Sequence, residues 1–117
     1  MNRIKVYIAG KVTGLPHDHV KAKFDKAASM LLVMGFDPVN PVQIVPPDSG
    51  WNNAMRICIK ELAGCELIYM LPDWYRSKGA IVERLLAWIL KIKRIKIVNY
   101  KMGLREPQTP ESQKYGK

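Results

Sequence analysis

Apolar residues along this chain switch repeatedly between the spacing of a strand and that of a helix. Residues 3–9, RIKVYIA, alternate weakly, are rich in β-branched side chains and end at Gly10, which predicts a first strand. Across 18–34, Val20, Phe24, Ala27, Ala28, Leu31 and Leu32 recur at helical spacing, with Lys21, Lys23, Asp25 and Lys26 on the other side and Gly35 as the stop. An amphipathic helix lying on a sheet has this pattern. FDPVN, residues 36–40, is a short strand weakened by Pro38 and is therefore expected at a sheet edge. The proline-rich PVQIVPPDSG that follows is expected to be a surface connection without regular structure.

Helical spacing returns over 51–63 through Trp51, Ala54, Met55, Cys58, Ile59 and Leu62, with Ser49 as a candidate cap and Gly64 as the stop. LIYML, residues 67–71, is a continuous apolar run of strand length, as in a strand covered on both faces. A loop over 72–78 then leads to a helix over 79–91. There Ile81, Leu85, Leu86, Trp88, Ile89 and Leu90 cover most of the circumference and leave a narrow polar stripe through Arg84 and Lys91. A helix apolar nearly all round needs two partners; one sheet face supplies only one, so a homodimer contact is expected. A last strand is predicted over 95–98. Residues 100–117 are polar, carry Pro107 and Pro110 and show no periodicity, which predicts a disordered tail.

The alternation of strands and helices implies an α/β domain over residues 1–99. Its expected form is a three-layer sandwich around a parallel sheet of four or five strands in the order 2-1-3-4, with right-handed crossovers and helices on both faces. A chain of 117 residues, 48% hydrophobic and 25% charged, is long enough for one buried core without disulfides or metal. No apolar run reaches membrane-span length, and MNRIKVYIAG is too short and too polar for a signal peptide, so a cytoplasmic protein is expected.

Charge and cysteines change little in this picture. The net charge of +9 raises nucleic acid as a partner, but the basic residues are spread out except for Lys91, Lys93, Arg94 and Lys96, and no aromatic residues interleave with that cluster. It reads as a helix C-terminus complemented by cations. Cys58 and Cys65, seven residues apart in one helical pattern, match neither a zinc spacing nor a disulfide framework and are expected to pack. His17 and His19 have no third metal ligand nearby and are expected in solvent, so no metal is called for.

Candidate chemistry gathers in ELIYMLPDWYRSKGAIVER, residues 66–84, where strand, loop and helix succeed one another. Open α/β sheets bind ligands at the carboxyl ends of their strands, which is where this loop must lie. Glu83 falls near the positive end of the helix; a solvated glutamate favoured by the dipole and a catalytic carboxylate both fit that position. Ser77 and Gly79 offer a hydroxyl and free helix-end N–H groups, either as a plain cap or as an anion site. Asp73 and Trp74 set a carboxylate beside a flat aromatic face that could stack on a base or anchor the loop. Tyr7, inside the first strand, is a core residue by composition, although a phenol near a strand end can reach a carboxylate. Gly10 and Gly14, four apart, form only a weak phosphate-loop pattern.

KVYIAGKVTGLP near the start, the VNP after the first helix, the MRxCIxxLxGCE segment, the LPDW turn and SKGAIVE together resemble the nucleoside 2-deoxyribosyltransferase-like family, in particular its small bacterial and phage members. The resemblance implies a flavodoxin-like, Rossmann-like sheet, a homo-oligomer, and cleavage or transfer at the N-glycosidic bond of a deoxyribonucleoside or its 5'-monophosphate without a cofactor. By motif, Glu83 would be the nucleophile and Tyr7 the tyrosine beside it. Ser77 and Gly79 would hold the 5' end of the sugar or its phosphate, and Ala9 and Gly10 would line the pocket with backbone. Cys58 and Glu66 stand where relatives carry aspartates, leaving Asp73 as the nearest acid for the departing base. A non-catalytic nucleotide-binding module is the competing expectation.

Overall fold

The computed structural model describes residues 3–97. Strand β1 (Lys5–Ala9) leads through a loop into helix α1 (His17–Val33), then β2 (Asp37–Val39), a short helix α2 (Pro41–Ile44), α3 (Trp51–Ala63) and β3 (Leu67–Met70). A single 3₁₀ turn (Trp74–Arg76) precedes α4 (Lys78–Ile89), and β4 (Lys93–Ile95) closes the sheet. All pairings are parallel and the order is β2-β1-β3-β4, as the alternating pattern predicts. Tyr7 stands beside Val39 on one side and Ile68 on the other, so β1 and β3 are the central pair.

Alternation along the strands divides the core into two layers. Val6 and Ile8 face one side of the sheet with Val20, Phe24, Ala27 and Leu31 of α1. Tyr7, Ala9, Ile68 and Met70 face the other with Leu62 of α3 and Ala80 and Ala87 of α4. Helix α1 ends as its glycine predicts: Gly35 takes a positive φ of 97°, and the Phe36 and Gly35 amides donate to the Leu31 and Leu32 carbonyls. Helix α4 ends by the same bond pattern, but Lys91 holds the positive φ, 62°.

Three expectations need correction. The 41–50 connection does contain a helical turn, α2. The Asn40 side chain accepts from the Val42 amide at 3.0 Å and Pro41 takes the first helical position, a start signal legible in the asparagine-proline pair. Helix α3 is preceded by Gly50, and no side-chain cap from Ser49 is formed. The last strand begins two residues early, at Lys93, because the tight turn at Lys91 feeds the chain straight into the sheet edge. Lys93 and Arg94 therefore belong to β4 rather than to a helix terminus. Helix α4 buries Ala80, Glu83 and Ala87 against the sheet and turns Ile81, Leu85, Trp88 and Ile89 outward, Trp88 being 69% exposed. Small residues let the helix axis approach the sheet closely, so the bulky apolar residues form the outer face. Val98 and the predicted tail lie outside the described residues.

Candidate functional site

The four strands run in one direction, so the loops after β1, β2 and β3 open at a common edge, and the residues beyond them enclose a cavity of about 410 Å³. Its wall takes Gly10, Val12, Thr13 and His17 from the loop after β1 and the start of α1. Pro41, Pro46 and Pro47 come from the segment after β2, Trp51, Met55 and Cys58 from α3, and Ser77, Gly79 and Glu83 from the start of α4. Gly10 is required by proximity: a Cβ there would lie 2.9 Å from the Cβ of Leu71. Only hydrogen fits in that gap, so β1 can turn out of the sheet directly above the β3 loop.

Glu83 is 5% exposed, and its Oε2 accepts a hydrogen bond of 2.7 Å from the Tyr7 hydroxyl. Both side chains line the cavity. The partners are 76 residues apart in sequence, one at the middle of the sheet and one on α4. Burial pushes the Glu83 carboxyl up to about 7, against the opposing hydrogen bonds from Tyr7 and Cys58. Burial, then the neighbouring Glu83 carboxylate, raises the Tyr7 phenol well above its ordinary range, so Tyr7 remains a donor. Burial likewise pushes the Cys58 thiol up to about 11. The site thus holds a carboxyl that changes charge near neutrality, oriented through one oxygen by a phenol that keeps its proton.

Ser77 caps α4, its Oγ accepting from the Ala80 amide at 3.1 Å. That bond uses an oxygen lone pair and leaves the hydroxyl proton free to be donated into the cavity. Ser77 is therefore both the cap and a wall of the site.

Other predicted residues sit elsewhere. Ala9 is buried beneath the wall, its carbonyl accepting from the Leu71 amide at 2.8 Å, while Gly10 alone of that pair lines the cavity. Asp73 does not line it. Its Oδ1 accepts from the Lys11 amide at 3.1 Å and its Oδ2 from the Lys23 ammonium, which also donates to the Lys11 carbonyl at 2.8 Å. Burial opposes ionisation there, but the Lys23 and Lys11 hydrogen bonds outweigh it and hold the Asp73 carboxyl below the usual range. Trp74 packs against the core layer of Tyr7 and α4, with the Arg94 guanidinium 5.6 Å from its ring centre, and is absent from the wall. The aromatic indole in the wall is Trp51, which helical periodicity placed at the start of α3 without marking it as a site residue. His17 is exposed, as expected, and lines the cavity from its solvent side. Of the two positions that differ from the aspartates of the resembled family, Cys58 is in the wall. Glu66 is at the opposite end of β3, where its side chain accepts from the Lys5 amide.

A family model described as "Domain of unknown function (DUF4406)" matches residues 4–98, which spans every element from β1 to β4. The chain belongs to the DUF4406 family. No curated protein matches it. In this DUF4406 domain, the matched residues include the whole cavity wall and the Tyr7–Glu83 pair. Among the described residues no group of three or more His, Cys, Asp or Glu could hold a metal ion. None of their helices is long and apolar enough to cross a membrane.

Proposed function

We propose that this DUF4406 protein cleaves or transfers the N-glycosidic bond of a nucleoside or nucleoside 5'-monophosphate, with Glu83 as nucleophile. The observation that carries this reading is a buried carboxyl at the wall of an open cavity, held through one oxygen by the Tyr7 hydroxyl. The ionised Glu83 oxygen would attack C1' of the sugar as the C1'–N bond breaks and its electron pair leaves with the base. The base takes up a proton, and the product is a glycosyl ester on Glu83. Water, or a second base, then attacks C1' and releases the carboxylate. Tyr7 holds the carboxylate in line for the attack and, by donating a hydrogen bond, stabilises it again when the ester breaks. Ser77 and the first amides of α4 would hold the 5' end of the sugar, or a phosphate on it. His17 is the one imidazole in the wall and the candidate to protonate the departing base, since Asp73 is already bound by Lys11 and Lys23.

A non-catalytic nucleotide-binding module is the second reading. It is favoured by Cys58, a neutral thiol in the wall where the resembled family carries an acid. In either case the outer face of α4 is the proposed contact between two copies of the chain, because contiguous exposed apolar surface of this kind is rare on monomers.

The test is a panel of nucleosides and their 5'-monophosphates incubated with the protein, with free base followed by chromatography, in parallel with Glu83→Gln. Cleavage by the wild type alone supports the enzyme. Equal cleavage by both proteins removes Glu83 from the mechanism, and tight binding without any cleavage establishes the binding module.

A further inference from the structure

A second cavity, of about 320 Å³, adjoins the first and shares Thr13, Trp51, Ser77 and Gly79 with it. The rest of its lining is Lys11, Arg76 and Lys78. We infer that this basin receives a phosphate beyond the one at the helix end, so that the ligand is a nucleotide with a phosphate chain, of the nucleoside 5'-diphosphate class. This deepens the nucleoside reading above and rests on it.

Three features of the basin support the inference. First, its three cations come from three separate segments, the loop after β1, the 3₁₀ turn and the first residue of α4, so the fold itself brings them together. Two of them are also held in place: the Lys11 ammonium donates to the Arg76 carbonyl at 3.4 Å, and the Lys78 ammonium lies 4.8 Å from the centre of the Trp51 ring. Second, no carboxylate lines the basin, and the two ion pairs among the described residues, Lys21–Asp25 and Lys23–Asp73, involve none of the three. Third, the two cavities meet at Ser77 and Gly79, so one ligand can occupy both.

Charge then sets the size of the ligand. A phosphate monoester carries roughly −1.5 to −2 near pH 7. The N-terminus of α4, worth about half a positive charge, together with the Ser77 hydroxyl, already serves one phosphate in part. Three further cations exceed what a single phosphate needs and match a second one. A nucleic acid strand fits less well, because Trp51 is the only aromatic side chain of the basin and successive bases need successive stacking platforms.

Calorimetric titration of the full chain with inorganic orthophosphate and pyrophosphate tests this without requiring the right base. Pyrophosphate is expected to bind at least about tenfold tighter, the step that 1.4 kcal/mol represents. The double variant Arg76→Ala, Lys78→Ala changes two exposed side chains and should remove that preference, whereas Glu83→Gln should retain it. Equal affinity for the two anions, a preference that survives the double variant, or capture of a single-stranded oligonucleotide that pyrophosphate does not displace would each overturn the inference. A pyrophosphate preference with no nucleotide cleaved would count against the glycosidic reading alone. Cleavage of monophosphates without a pyrophosphate preference would sink only the phosphate-chain inference.

Discussion

Glu83→Gln should stabilise the folded protein at pH 8 and change it little at pH 5. The carboxyl is buried and raised to about 7, whereas in the unfolded chain it returns to the ordinary glutamate value near 4.5. A folded-state pKa above the unfolded one means that the folded protein holds the proton more tightly. The associated stability is fully present below pH 4.5 and is lost as pH rises through 7. A shift of roughly 2.5 units at 1.36 kcal/mol each gives about 3 kcal/mol over the whole range, and roughly 2.5 kcal/mol between pH 5 and pH 8. Glutamine keeps the shape and a carbonyl oxygen for the Tyr7 hydroxyl but has no proton to lose, so its stability omits this term. Urea unfolding of both proteins at pH 5, 6, 7 and 8 measures it: the wild type should decline relative to the variant, most steeply from pH 5 to 7. Parallel pH profiles would refute the argument, since they would mean that the folded carboxyl titrates where a solvated one does. Because no substrate enters this experiment, it tests the site's electrostatics independently of the proposed reaction.

Leu85→Gln combined with Trp88→Gln should yield monomers by light scattering, as both residues lie on the exposed face of α4; a wild type that is monomeric at high concentration removes the premise. Lys91→Gly should stabilise the protein by about 0.5–1 kcal/mol in urea unfolding, since Lys91 occupies the left-handed conformation that glycine tolerates at the end of a helix. No gain would mean that contacts of the lysine side chain compensate. Gly10→Ala should destabilise by about 1–3 kcal/mol through overlap with Leu71. A thermal melt should show that loss, and a neutral Gly10→Ala would show that β1 and the β3 loop are free to separate.

Much of the architecture was legible because each element carried its own period. The uninterrupted LIYML run marks a strand covered on both faces, and Gly35 marks the end of α1 and becomes its left-handed residue. What periodicity could not supply was the depth at which α4 packs. Apolar residues nearly all round α4 do not say which face meets the sheet; Ala80 and Ala87 allow the closer approach, and that choice depends on the shape of the sheet and of α3. The same rotation turns Glu83 from the margin of a polar stripe into the buried partner of Tyr7. In the site, Ser77, Gly79 and Glu83 converge on Tyr7 of the central strand because α4 begins at the edge where the parallel strands end. Periodicity does not mark Trp51 as a site residue because it arrives from α3, whose role in the wall depends on a helix-to-helix contact. Asp73 was misplaced for the opposite reason: its neighbours in sequence suggested a site, while its partners, Lys11 and Lys23, come from the other side of the mouth.

The triangle of Lys23, Asp73 and the Lys11 backbone fastens the loop that leaves β1 to the loop that leaves β3. It works as a spacer at the entrance. With the carboxylate bound on both oxygens, the two lips hold their separation before any ligand arrives, and a docking molecule need not supply the entropy of ordering them. Such an aperture admits ligands by width, and its width responds to salt: competition for the Lys23–Asp73 contact at high ionic strength would loosen the entrance and relax size discrimination while leaving the buried pair beneath it untouched.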